Sequence, residues 1–382
     1  MKKIRIIGIV VIVSILFVSF IFSSPKEIEV VYKDNLIEKE FVYEKENTLT
    51  ISAAGDVLMH MPVLNSAKTG NTYDFTNMYK GVKHLFDRAD LSMINLEVPV
   101  AGNKLAISSY PMFNSPVEVL DGLKYLGIDV ISTANNHSLD KSYKGLETTI
   151  ENIKQKEMLW TGTARNLDEA KPLIITKNNI KVGVISYTYG TNGIPVPSSK
   201  PYCVNLIDEN KIKSDIEYLK TNNVDFIVSN IHFGIEYQTK PSTYQKETVD
   251  FLVENGVDAI FGSHPHVPQP YEIRYNEKLD KNVFIIYSLG NFVSNQDWAT
   301  TQIGGIAEIK LYKKGNIKDV TSAIVHPIYT YNNNSRNHKV VSLREVVNTQ
   351  GIYTGAQMQM FKKALNDVKY IYNKEELVLK WE

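Results

Sequence analysis

From Leu49 to Val293 short apolar, β-rich runs, several ending in a polar cluster, alternate with stretches of helical periodicity, without an internal sequence repeat. The runs include TLTISAAGD, ADLSMINLE, GIDVISTANNH, KVGVISYTYG, NVDFIVSNIHFG, GVDAIFGSHPHV and NVFIIYSLGNF. Between several of them lie SPVEVLDGLKYLG, YKGLETTIENIKQKE, IDENKIKSDIEYLKTN and TYQKETVDFLVENG, whose apolar residues recur at helical spacing. Several of these stretches close on Gly or Asn just ahead of the next run, as helix C-caps do. Alternation of this kind predicts a layered α/β domain with a parallel or mixed sheet, because parallel neighbours need a crossover that a helix supplies. After Asn291 the pattern changes: GIAEIKLYKKGNIKDVTSAIVHPIYTY reads as antiparallel strands about a Gly-Asn turn, and GAQMQMFKKALNDVKYIYN as a late helix. The expected division is a main domain over residues 48–330 and a C-terminal extension over 331–382.

The N-terminus obeys a different rule. In MKKIRIIGIVVIVSILFVSFIFSS three basic residues precede an apolar run from Ile6 to Phe22, 17 residues long, which is near the lower limit for a bilayer-spanning helix. Lys2, Lys3 and Arg5 would stay on the cytoplasmic side. Residues 1–24 are therefore expected to form an N-terminal transmembrane anchor or uncleaved signal, and the charged stretch 25–47 a spacer. The main domain would lie outside the cytoplasm on a single-pass protein of the cell membrane. Lys plus Arg and Asp plus Glu both number 42, so no overall field favours a polyanion, and no nucleic-acid partner is expected. Cys203 is the sole cysteine and forms no internal disulfide; it reads as a packed thiol.

The polar clusters at the strand ends carry the chemistry. AAGDVLMH offers Asp56 and His60, INLEV offers Asn95 and Glu97, and STANNHSLD offers Asn135, Asn136, His137 and Asp140. Later, SNIHFG offers His232, GSHPHV offers His264 and His266, and SLGNF offers Asn291. Taken singly, each is ordinary: Gly-Asp and Asn-Asn are turn residues, and a lone histidine is more often a satisfied core residue than a ligand. Together, and all at the carboxyl ends of strands where α/β sheets bind ligands, they point to a site. Imidazoles, carboxylates and an amide oxygen suit divalent transition ions such as Mn, Fe, Zn or Co rather than Mg or Ca. His264 and His266 lie two apart, so an extended backbone would put them on one side.

On these residues a resemblance rests. AAGDVLMH, NLEVPV, STANNHSLD, HFGIEY, GSHPHVPQPYEI and IIYSLGNF resemble the CapA family of capsule and poly-gamma-glutamate synthesis proteins, which is related to the calcineurin-like metallophosphoesterases. The resemblance implies a four-layer sandwich of two mixed β-sheets flanked by helices, with a metal site at one edge holding one or two divalent ions. It implies metal ligands at Asp56, Glu97, Asn136, His232, His264 and His266, with Glu97 at the bridging position. His137 matches a histidine that protonates a leaving group, and Asp140 is near enough in sequence to orient it. Two departures stand out: Leu58 replaces the histidine that metallophosphoesterases usually carry two residues after the first aspartate, and Glu97 replaces an aspartate. His60 or a water would have to substitute.

Three functions compete. One is a membrane-anchored protein for synthesis or export of poly-gamma-glutamate or a related anionic capsule polymer, acting as a metal-dependent hydrolase with membrane polymer-synthase subunits as partners. The second is a non-catalytic scaffold of such a synthase, and the third a stand-alone metal-dependent phosphoesterase. Tyr-rich stretches at 110–116, 186–193 and 232–245 are candidates for lining a polymer groove.

Overall fold

The computed structural model describes residues 47–298, 300–332, 337–349 and 351–372, with the backbone of short strands at 31–33, 36–38 and 378–380. The anchor expected at residues 1–24 lies outside the described residues. Among the described residues no helix is long and apolar enough to cross a membrane.

The chain divides into two units, Met1–Glu44 and Lys45–Glu382. In the first, β1 (Val31–Lys33) pairs antiparallel with β2 (Leu36–Glu38).

The second unit begins with β3 (Thr48–Val57), α1 (Met61–Ala67), the small hairpin β4 (Lys68–Thr69) and β5 (Thr72–Tyr73), and the short helices α2 (Thr76–Tyr79) and α3 (Lys83–Phe86). There follow β6 (Leu91–Leu96), α4 (Glu118–Leu126), β7 (Val130–Ser132), α5 (Ser142–Gln155), β8 (Leu159–Thr161), β9 (Leu173–Lys177) and β10 (Ile180–Thr188). Next come α6 (Glu209–Thr221), β11 (Phe226–His232), α7 (Thr243–Asn255), β12 (Ala259–Ser263), β13 (Tyr271–Asn276), β14 (Lys281–Ile286) and β15 (Asn291–Val293). The unit closes with β16 (Ile303–Lys314), β17 (Ile317–Tyr331), β18 (Lys339–Ser342), α8 (Leu343–Asn348), α9 (Gly355–Tyr372) and β19 (Val378–Lys380).

These strands form two mixed sheets. One has the order β18-β17-β16-β3-β6-β7-β8, with β15 beside β3 and β19 beside β17; the other has the order β13-β14-β12-β11-β10-β9. Within the first, β3, β6, β7 and β8 run parallel. Within the second, β10, β11, β12 and β14 do the same. The crossovers between them carry the predicted helices, whose ends follow from local chemistry. A capping box of Ser242 and Gln245 starts α7, and Gly256, at φ 103°, ends it in a left-handed conformation that a side chain would oppose.

The sheets pack face to face through residues that alternate along each strand. Ile51, Ala53 and Met93 from one meet Val184, Val228 and Phe261 from the other in a single buried cluster. Phe361, Ala364, Val368 and Tyr372 of α9 enter the same cluster. On its outer face the first sheet is covered by α1 to α4, with Ile94 and Ile131 buried among Leu120, Leu123 and Phe86. The second is covered by α6 and α7, with Ile227 and Ile231 buried among Ile216, Leu219 and Leu252. Burying one such aliphatic side chain contributes about 1.5–3 kcal/mol, so four apolar faces hold the strand ends in fixed register.

Candidate metal centre

At the shared edge, the strands stop being apolar. Asp56 is the ninth residue of β3, just past a register shift between Ala54 and Asp56 after which the ladder with β6 resumes, pairing Asp56 with Asn95. Its backbone N–H donates to Gly290 O at 3.0 Å, and a Cβ on the preceding Gly55 would lie 1.8 Å from that same oxygen. Only glycine permits this approach, and it carries the Asp56 carboxylate into the site.

Two carboxylates meet there without exposure. Asp56 Oδ1 accepts from Asn95 Nδ2 at 2.7 Å, and Oδ2 accepts from the backbone N–H of His264 at 3.2 Å and lies 3.3 Å from His266 Nδ1. Glu97, just past β6, is equally buried, and neither of its carboxylate oxygens has a hydrogen-bond partner. Glu97 Oε1 lies 3.4 Å from His232 Nε2 and 3.8 Å from His266 Nε2.

The histidines complete the ring around them. His232 Nε2 is 2.9 Å from Asn136 Oδ1, and its Nδ1 is 3.3 Å from Asn95 Nδ2. His264 Nδ1 is buried and unpartnered. His266 Nδ1 is 3.1 Å from Asn291 Oδ1. The His-Pro-His segment is not extended: His264 and His266 have φ of 99° and 60°, left-handed values that non-glycine residues seldom adopt. β12 has ended at Ser263, and the chain turns sharply, bringing the two rings to a centroid separation of 5.9 Å by backbone strain rather than by strand alternation.

Three sets of ligand atoms lie within 4.8 Å of one another: Glu97 with His232 and His264, Asp56 with Glu97 and His266, and Glu236 with His264 and His266. Glu97 joins the first two sets. An ion with bonds of about 2.1 Å spaces its ligand atoms by about 3.0–3.4 Å, which the measured separations approach. The donors thus fit a divalent transition ion.

The electrostatics agree. Burial and then the Asp56 charge push the Glu97 carboxyl well up. Burial would also raise Asp56, but the hydrogen bond and charge of His266 outweigh it and bring its carboxyl down. Burial pulls His266 down, yet Glu97 and Asp56 hold it up at about 9. Burial lowers His232 to about 3 and His264 well below the usual range, keeping both imidazoles neutral, the form that binds metals. Burial is the largest influence on every one of these groups, and His266 is the one imidazole that the two carboxylates hold in the charged form.

His137 and Asp140 stand beside this cluster. His137 Nδ1 lies 2.8 Å from Asp140 Oδ2, which also accepts from the Phe113 backbone N–H at 2.7 Å. The Phe113 ring meets the imidazole edge to face at 4.8 Å. His60 takes no part in the three sets; its Nδ1 accepts from the Asn295 backbone N–H at 3.3 Å, and burial lowers it to about 4. Leu58 is packed in the apolar layer outside the sheet and offers no ligand atom.

The eight residues that the family resemblance implies as ligands or proton-transfer groups therefore lie in one neighbourhood. Glu236 was missed because it sits on a loop four residues beyond His232, although HFGIEY contains it. Asn95 and Asn291, visible at their strand ends, orient Asp56 and His266. Two of the Tyr-rich stretches reach the histidines through half-exposed rings, Tyr189 against His264 at 4.6 Å and Tyr237 against His266 at 6.0 Å, while in the third the exposed Tyr110 packs on Phe113 of its own stretch at 6.3 Å.

Among known proteins, residues 50–296 match the family described as bacterial capsule synthesis protein PGA_cap. The capsule biosynthesis protein CapA of Bacillus anthracis is 28% identical over 283 residues, covering 72% of this chain and 67% of that protein. The PGA biosynthesis protein CapA of Bacillus subtilis (strain 168) is 26% identical over 300 residues, covering 74% and 73%. Among solved structures, the NAD nucleotidase of Haemophilus influenzae aligns with a TM-score of 0.47 and 13% identity, over 85% of this chain and 60% of that one. The calcineurin-like phosphoesterase YfkN of Bacillus subtilis aligns at 0.43 with 15% identity, over 86% and 99%. The present chain spans about three fifths of the nucleotidase.

Proposed function

The chain belongs to the bacterial capsule synthesis protein PGA_cap family, and on that premise we propose that it serves the synthesis or export of poly-gamma-glutamate or a related anionic capsule polymer through a metal-dependent hydrolase core. The core is the four-layer metallophosphoesterase-like sandwich, anchored by residues 1–24 in the cell membrane with its main domain outside the cytoplasm and beside membrane polymer-synthase subunits. The names of the two Bacillus relatives support the polymer.

One observation carries the hydrolase reading: both oxygens of Glu97 are buried without a hydrogen-bond partner, next to a second buried carboxylate. An unpaired buried carboxylate costs several kcal/mol, and a bound cation removes that cost. Asp56, Glu97 and His266 would hold one ion, and Glu97, Asn136, His232 and His264 another. Bound divalent ions would polarise the scissile group and lower the pKa of water. The chain's own residues do the rest. Asp140, fixed by the Phe113 amide, holds His137 through Nδ1 and leaves Nε2 to pass a proton to the leaving group. The Tyr189 and Tyr237 rings flank the histidines where an extended polymer would lie.

The test is metal content of the full chain, purified in detergent and dialysed against Mn or Zn, beside Glu97→Gln. One or two equivalents in the parent and none in the variant support the reading; a folded, metal-free parent overturns it. The buried hydrocarbon at Leu58 favours a second reading, a scaffold with a structural ion. Bound metal without turnover of phosphodiesters or poly-gamma-glutamate would select it.

A further inference from the structure

We propose that Glu236 is a further metal ligand, joining His264 and His266 from the solvent side of the cluster. This rests on the metal-dependent reading above and adds to it a residue that lies on neither sheet.

Three observations place Glu236. Its carboxylate forms a ligand-distance set with His264 and His266, the two imidazoles that also belong to the Glu97 sets. One of them, His264, is 97% buried and its Nδ1 has no partner, so the set contains a donor still to be satisfied. The loop carrying Glu236 is built to stay there. The backbone N–H of the next residue, Tyr237, donates to Pro265 O at 2.8 Å, tying the loop to the middle of the His-Pro-His turn. Tyr237 adopts φ 66° to make this contact. At Gly234, φ is 111° and an added Cβ would meet the Gln245 side chain at 2.7 Å, so only glycine lets the chain leave β11 along this path. Further on, Gln269 Nε2 donates to Gln238 O at 2.7 Å and pins the far side of the loop.

The chemistry fits the place. The set formed by Asp56, Glu97 and His266 has three protein ligands, one fewer than the four of a closed transition-ion site. On the inner side the chain offers Leu58, which faces the apolar layer, and His60, whose Nδ1 is taken by Asn295. On the outer side the Glu236 carboxylate lies at ligand distance from both His264 and His266, and His266 is the residue its set shares with that of Asp56 and Glu97. A ligand on an exposed loop is also one that an anionic substrate can displace.

The probe is Mn²⁺ alone, titrated into the metal-stripped full chain in detergent, with free and bound ion counted and melting temperature followed in parallel. Glu236→Gln is expected to weaken one equivalent about tenfold or more, the scale on which groups supporting a metal site act. Glu236→His, which returns a ligand of the type absent at position 58, is expected to restore it. Glu97→Gln is expected to lose every equivalent. Because Glu236 is exposed, the metal-free melting temperatures of Glu236→Gln and the parent should coincide. Unchanged Mn²⁺ affinity in Glu236→Gln overturns the proposal while the metal reading stands. A folded parent that binds no Mn²⁺ overturns both.

Discussion

Two sites in this chain bury histidine among polar side chains and differ in whether those polar atoms are satisfied. In one, His338 is almost wholly buried, with Nδ1 2.7 Å from Ser66 Oγ and Nε2 3.0 Å from Asn295 Oδ1. In the other, His232, His264 and His266 surround Glu97, and neither its two oxygens nor the Nδ1 of His264 has a hydrogen-bond partner, although Oε1 lies 3.4 Å from His232 Nε2 and 3.8 Å from His266 Nε2. The first cluster closes on itself and needs nothing more. The second is left with buried carboxylate oxygens that no donor reaches, a state that protein interiors seldom tolerate. Buried histidine alone therefore does not separate the two sites; the carboxylate without a hydrogen-bond partner does.

The largest effect should come from that carboxylate. If the parent is held at a metal concentration 100 times its dissociation constant, binding adds about 2.7 kcal/mol to stability. A chelator should lower its melting temperature by several degrees and leave Glu97→Gln and the His338 cluster untouched. A parent that melts at the same temperature with and without chelator would erase the contrast between the clusters. On turnover rather than stability, His137→Ala is expected to slow the reaction by about 10²–10⁴-fold, the usual share of a general acid, with metal content unchanged. Loss of metal in this variant would move His137 from proton transfer to ligation.

How far the sequence reaches can be judged from the same residues. The alternation of runs and helices was enough for a layered α/β fold, because each period reports which face of an element is buried. The strand-end residues were equally legible, since a polar residue after an apolar run has few reasons to be there. Geometry that depends on φ was not: the spacing of His264 and His266 suggests one strand face, whereas both occupy left-handed backbone. Antiparallel β9 is joined to β10 by Asn178 and Asn179, at φ 51° and 59°; the Asn-Asn pair was the signal for that hairpin, and the reading began one strand too late. Periodicity showed α9 as a helix but not that Phe361 and Tyr372 enter the core between the sheets, because local pattern says nothing about a distant partner. Glu236 escaped for a related reason, as a loop residue brought home by a backbone hydrogen bond.

The smallest predicted effect tests the satisfied cluster. Burial alone lowers His338 to about 4, so the folded protein keeps this ring neutral where the unfolded chain would protonate it below about 6.5. Its folded pKa lies below its unfolded one, and the unfolded state takes up the proton first. The stabilising contribution is therefore complete above pH 6.5 and is lost as the pH falls from 6.5 towards 4. His338→Gln keeps hydrogen-bonding capacity but cannot titrate, and should cost about 1 kcal/mol at pH 7. Denaturation of both proteins with chelator present makes the site histidines contribute equally and cancel in the difference. That difference should shrink between pH 6.5 and 5, and the variant should lose less stability than the parent over this range. A difference that stays constant would mean that His338 is not held neutral by its burial, and the two clusters would then be alike in answering to charge.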